Sequence, residues 1–257
     1  SVAGLENYSI DFDGYKTSIY HRSRDFHFMR RTAVRTHMSC DFDVFPGSWF
    51  LFLSQMPQGR VSIHAKSGEL FFGPPVAVFL PPYQLIRWKQ YPGDSEWIAI
   101  RGETELPIEL KTDPFVFKWD VEQSVASLDD VISLIRKGKS DAVSIPAELT
   151  SSRLARSLKY AIDLGFDSGA SLEDLCSELG VRRNSMSHIF RSCYGVSAKD
   201  YRNRLQVNQA IRKLSFEGMS LTDACYEAGF DEYSSFYRQF RSWLRVRPSH
   251  ILPDQCR

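Results

Sequence analysis

The chain has 257 residues, of which 43% are hydrophobic and 25% charged, with 15 Gly and 12 Pro; this composition excludes a disordered, collagen-like or low-complexity chain, and the length suits about two domains. Formal net charge is only +1, yet residues 151–257 carry 16 Lys or Arg against 12 Asp or Glu, leaving 16 against 19 in residues 1–150. That asymmetry directs nucleic acid to the C-terminal half.

Five cysteines (Cys40, Cys176, Cys193, Cys225, Cys256) form no CxxC pair, and three fall on apolar helix faces. Reduced thiols are expected, with no metal site and no cofactor. No run of about 18 apolar residues and no secretory signal is present, so a cytoplasmic protein with no membrane partner is expected.

In chain order, Tyr15 to about Trp119 reads as short extended runs separated by turn residues. The candidate strands are Trp49 to Ser54, Arg60 to Ala65, Glu69 to Phe72, Val76 to Leu80, Leu85 to Tyr91 and Trp97 to Arg101. Pro46-Gly47, Gly73-Pro74-Pro75, Pro81-Pro82 and Pro92-Gly93 punctuate them, a spacing that argues a β-sandwich or barrel. Val121 to Lys139 returns to helical spacing, with Val121, Val125, Leu128, Ile132 and Ile135 on one stripe. That seam suits pairing with a second copy, making a homodimer, or packing on the chain's own β-domain. Gly138 to Thr150 lacks periodicity and reads as a linker. The expected domains are therefore 1–120, 121–150 for the helix and linker, and 151–257.

Arg153 to Leu164 opens the C-terminal domain with Leu154, Leu158, Ala161 and Ile162 on one face. Beyond it, one unit is written twice. SLEDLCSELGV at 171–181 and SLTDACYEAGF at 220–230 share six of eleven residues at a shift of 49. Each copy has a serine N-cap, an apolar period of three to four, and a glycine placed for a left-handed C-cap. A second short helix comes after each. Met186, Ile189, Phe190 and Cys193 face inward in the first, and Phe236 and Phe240 in the second. The opposite faces carry Arg183, Asn184, Ser187, His188 and Arg191, and Tyr233, Ser234, Tyr237, Arg238 and Arg241. Such faces are either solvated surface or readers of a major groove, where base edges and phosphates need donors and acceptors at helical spacing. Between the copies, Ser197 to Ser215 has no Gly or Pro and reads as one continuous helix, long enough at roughly 28 Å to hold two recognition helices near successive grooves.

These residues resemble the AraC/XylS family of transcription regulators. The first half carries Met186, Ser187, Phe190, Arg191, Gly195, Val196, Ser197 and Tyr201 in the family's pattern. The second carries Ala224, Gly229, Phe230, Ser234 or Ser235, Phe236, Arg238, Phe240 and Arg241, with Pro248 closing it. The resemblance implies an α+β two-domain protein: an N-terminal cupin-like β-barrel or sandwich, and an all-α domain with two helix-turn-helix motifs joined by a long helix. It implies a sequence-specific regulator, an activator that recruits RNA polymerase on double-stranded DNA and answers a small-molecule effector or a partner. Base contacts would fall to Asn184, Ser187, His188, Tyr233, Ser234, Tyr237 and Arg238, and phosphate contacts to Arg182, Arg183, Arg191, Lys199 and Arg241. The chain departs from the pattern where the family usually has an arginine at the position of Gln206, a serine at that of Arg182 and a glycine at that of Arg245.

A metal cupin needs converging histidines and a carboxylate, and His21, His27, His37 and His64 stand too far apart, so neither a metal nor a catalytic residue is expected. An effector pocket walled by Trp49 and Trp88, with Arg60, His64 or Arg87 fixing a polar group, competes with a barrel simply filled by its own side chains. The alternative function is a cupin-type ligand-binding protein or enzyme with a helical appendage.

Overall fold

The computed structural model describes residues 8–12, 15–22, 26–54, 61–65, 68–73, 75–120, 122–123, 125–145, 152–244 and 247–251. Two units divide the chain: Ser1–Asp43 with Gly47–Ala147, and Val44–Pro46 with Glu148–Arg257.

The first unit is built from β1 (Tyr8–Phe12), β2 (Tyr15–Arg22), β3 (Phe26–Arg35), β4 (Ser39–Asp43), β5 (Trp49–Ser54), β6 (Val61–Ala65), β7 (Gly68–Phe71), β8 (Val76–Leu80), β9 (Ile86–Gln90), β10 (Gly93–Gly102), β11 (Phe115–Lys118), α1 (Leu128–Lys139) and β12 (Val143–Ser144). All pairings are antiparallel. They form two sheets, ordered β1-β2-β3-β10-β5-β8-β11-β12 and β4-β9-β6-β7, that do not close into a barrel among the described residues. Of the two expected architectures, the sandwich holds.

β5, WFLFLS, is apolar on both faces because both are covered. Trp49, Leu51 and Leu53 point into a core with Phe79, Ile100, Phe115 and Phe117, and α1 closes that core with Val131, Leu134 and Ile135. Phe50 and Phe52 turn the other way; Phe52 meets Trp88 of β9 edge-on, with centroids 5.6 Å apart. Burying each large α1 side chain contributes about 1.5–3 kcal/mol. A capping box starts α1: Ser127 Oγ accepts from Asp130 N–H at 3.2 Å, and Asp130 accepts from Ser127 N–H at 2.9 Å. At its other end Gly138 lies against the Phe117 ring, leaving no space for a Cβ.

Of the two options for the α1 stripe, packing on the chain's own β-domain is the one seen: Ile135 is fully buried, and Val125, Leu128 and Ile132 pack on the same core, while Val121 lies outside the described residues. The linker gives up Val143–Ser144 to β12, paired with β11, and Ile145 is buried beyond it.

The second unit holds α2 (Arg153–Gly165), α3 (Leu172–Glu178), α4 (Arg183–Tyr194), α5 (Ala198–Arg212), α6 (Leu221–Glu227) and α7 (Tyr233–Leu244). Both repeats fold as their caps dictate. Ser171 and Ser220 accept from the backbone N–H of Asp174 and Asp223 at 3.1 Å, and Gly180 and Gly229 sit at φ +67° and +86°. α5 continues into a π-helical turn, Lys213–Glu217, closed by left-handed Gly218. Its α-helical part, at 1.5 Å per residue, is about 22 Å long, shorter than the unbroken polar and apolar period predicts because the last residues adopt the wider turn.

Candidate nucleic-acid interface

α4 buries Met186, Phe190, Cys193 and Tyr194, which leaves Asn184, Ser187, His188 and Arg191 exposed along its other side. Its N-terminus is electropositive for two reasons. Arg182 occupies the N-cap and forms no side-chain cap bond, and no acidic residue sits in the first turn to offset the helix dipole. Arg183 pairs with Glu173 of α3, but both side chains are exposed, at 62% and 61%, so the pair is weak and a phosphate can displace the carboxylate. Lys199 is exposed in the first turn of α5.

α7 repeats the design. Phe236 and Phe240 are fully buried, while Ser234, Arg238 and Arg241 are exposed. Arg238 Nη2 donates to Ser235 Oγ at 3.3 Å, a long, exposed bond to a hydroxyl that a base edge can replace. Ser234 Oγ donates to Glu232 at 3.0 Å. Tyr233 and Tyr237 are half-buried and lie 6.4 Å apart by ring centroids. Burial, then the neighbouring Cys225 and Tyr237, raises the Tyr233 phenol above its ordinary pKa, so it stays a neutral donor. All seven expected base readers are thus at least partly accessible, Tyr233 and Tyr237 less than the rest, and all five expected phosphate residues are exposed.

Polar side chains outside the two recognition faces help hold this unit together. Tyr201 of α5 donates to Asp163 of α2 at 2.5 Å, and Lys159 pairs with the same carboxylate at 2.7 Å. Burial raises the Asp163 pKa, against the opposing pull of Lys159 and Tyr201. The Arg204 guanidinium lies 3.7 Å from the Trp243 ring centroid, joining α5 to α7. The resembled pattern includes Tyr201, and Lys159 and Asp163 have i,i+4 spacing, but nothing local in the sequence marks the Arg204–Trp243 contact.

The expected effector-pocket residues do not converge. Trp49 lies on the α1 side of β5, with its Nε1 donating to the Thr104 carbonyl at 3.2 Å. Trp88 lies between the sheets and donates to Asp43 at 2.7 Å. Arg87 and His64 are cross-strand neighbours on the face opposite Trp88 and Ile63, because successive strand residues alternate. His64 there stands 3.9 Å from Glu69, which also accepts from Lys89 at 2.6 Å and Tyr91 at 2.8 Å. Arg60 lies outside the described residues, as do Arg245 and Cys256. Between the sheets, the residues that do meet are Phe50, Phe52 and Trp88, with Arg101 5.7 Å from the Phe50 ring. Among the described residues no group of His, Cys, Asp and Glu could hold a metal ion, and no helix is long and apolar enough to cross a membrane.

Residues 175–253 match the helix-turn-helix domain family. The HTH-type transcriptional activator AarP of Providencia stuartii is 25% identical over 79 residues, covering 31% of this chain and 58% of AarP. The HTH-type transcriptional regulator ExsA of Pseudomonas aeruginosa is 31% identical over 88 residues, covering 34% of this chain and 32% of ExsA. The matches therefore span less than two thirds of either curated relative. Unsaturated fatty acid-bound ToxT from Vibrio cholerae shares the fold over 91% of this chain and 98% of its own, with TM-score 0.54 and 14% identity. Motif and family match agree: over residues 175–253 the chain carries a helix-turn-helix domain, in the same stretch that resembles the AraC/XylS pattern.

Proposed function

We propose that this protein is a sequence-specific DNA-binding transcription regulator whose α4 and α7 read successive major grooves. The observation that carries the reading is the doubled unit itself: two capped helices, two left-handed glycines, and two succeeding helices that each bury an apolar stripe and expose arginine and hydrogen-bonding side chains. A solvated surface needs no such duplication. Asn184, Ser187, His188, Tyr233, Ser234, Tyr237 and Arg238 are assigned to base edges; Arg182, Arg183, Arg191, Lys199 and Arg241 to phosphates. AarP's description as an activator supports activation, with RNA polymerase the partner recruited.

The N-terminal unit is assigned to an effector with an apolar body, received between the sheets near Phe50, Phe52 and Trp88. The fatty acid bound by ToxT is a precedent for that ligand class. Such an effector regulates only by binding one arrangement of the protein better than another. The packing of α1 on its own core favours an intramolecular role for that helix over pairing with a second copy.

A mobility-shift titration on a duplex selected from random sequence tests the reading. Arg182→Ala and Lys199→Ala weaken binding to every sequence and each lowers the salt slope by about one, while His188→Ala and Arg238→Ala relax preference at particular bases by about 1–3 kcal/mol. Four variants that bind like the parent would remove the assignment.

A further inference from the structure

α5 is buried on several sides, and one of its side chains reaches the frame of both helix-turn-helix units. Gln206 is only 4% exposed, and its single amide nitrogen donates to the Phe166 carbonyl at 2.9 Å and to the Gly229 carbonyl at 2.8 Å. Phe166 caps α2, on which the first unit is built; Gly229 lies just past α6 in the second. An amide NH2 has two hydrogens, so each carbonyl takes one and neither hydrogen is spare. Both carbonyls must therefore lie within hydrogen-bond reach of the same atom, and a slip between the units breaks one bond.

The backbones at this junction are already in contact. A Cβ on Gly229 would stand 2.5 Å from the Asp167 Cα and 2.8 Å from the Phe166 carbonyl oxygen. One helical turn before Gln206, burial lowers the Arg202 guanidinium pKa, while Asp231 of the second unit and Asp174 of the first oppose the shift.

We infer that Gln206 is a positioning residue for two-groove recognition, fixing α4 and α7 in one register so that the DNA spacing between their half-sites is specified by the protein. The inference rests on the proposed function. It concerns the coupling between half-sites and leaves each half-site contact intact.

The test uses the full chain and a duplex selected by it, together with versions carrying one scrambled half-site, or one or two base pairs inserted between the halves. Gln206→Met keeps length and removes both donors; Gln206→Glu keeps shape and turns an oxygen toward two carbonyl oxygens. For the milder Met variant, two-site affinity falls about tenfold or more, half-site affinity stays within about twofold, and the penalty for inserted base pairs flattens. Two-site and half-site affinity falling by a common factor, or an unchanged spacing profile, would overturn the inference. A parent that binds the scrambled duplex as well as the intact one would instead refute the two-groove reading.

Discussion

Gly180 and Gly229 occupy the same place in the two repeats, and alanine at each separates a conformational cost from a packing cost. Both have positive φ, +67° and +86°, so each alanine incurs the left-handed penalty of about 1–2 kcal/mol. Around Gly180 nothing lies within 4 Å of a built Cβ. At Gly229 the Cβ would overlap backbone atoms of Phe166 and Asp167, and their displacement adds about 1–3 kcal/mol. That displacement also disturbs the two Gln206 hydrogen bonds, worth about 1 kcal/mol each. Gly180→Ala should thus cost about 1–2 kcal/mol and Gly229→Ala about 2–5 kcal/mol, rising to about 7 kcal/mol if both Gln206 bonds are lost. Urea unfolding monitored by far-UV circular dichroism, with the denaturant slope checked for constancy, measures the difference. Equal losses would mean that the turn of the second unit does not rest on the end of α2.

Three further outcomes rest on the same geometry. Gly102→Ala, whose Cβ would fall inside the Trp49 ring, should destabilise the β-domain by about 1–3 kcal/mol or more, read as a lower unfolding midpoint with reduced Trp fluorescence change. Asp163 has a folded pKa above its unfolded value of about 3.9, so the folded state holds its proton longer; its contribution to stability falls as pH rises from there through the folded pKa, and Asp163→Asn should flatten that part of the profile. A thiol reagent should modify exposed Cys40 readily and spare Cys193 and Cys225, both buried, the latter with its thiol pushed up to about 11 by burial; labelling of Cys225 at the rate of Cys40 in native protein would contradict its placement.

The helical unit is largely legible in the sequence because its signals are local. Serine caps, the glycines beyond them, and a three-to-four period specify α3, α4, α6 and α7 without reference to distant residues. Trp49–Ser54 and Val76–Leu80 also match their predicted bounds to the residue. What faces what is harder to read. β5 is apolar on both sides because α1 covers one face and β9 the other, so alternation cannot tell that Trp49 and Trp88 lie on different sides of it. β3 escapes the strand pattern because FHFMRRTAVR has no clean alternation to mark one buried face. The α1 stripe has one period whether it meets a second copy or its own sheet, and only tertiary packing chooses. Gln206 in isolation reads as a surface residue; its burial depends on two carbonyls 40 and 23 positions away.

The most direct measurement of the central claim is a methylation-interference footprint of the full chain on its selected duplex, compared with His188→Ala and Arg238→Ala. Two clusters of major-groove guanines should appear on one face of the DNA, about one helical turn apart, with each variant erasing a different cluster. A single cluster in the parent, or two clusters that fade together in both variants, would contradict the assignment of one groove to each helix.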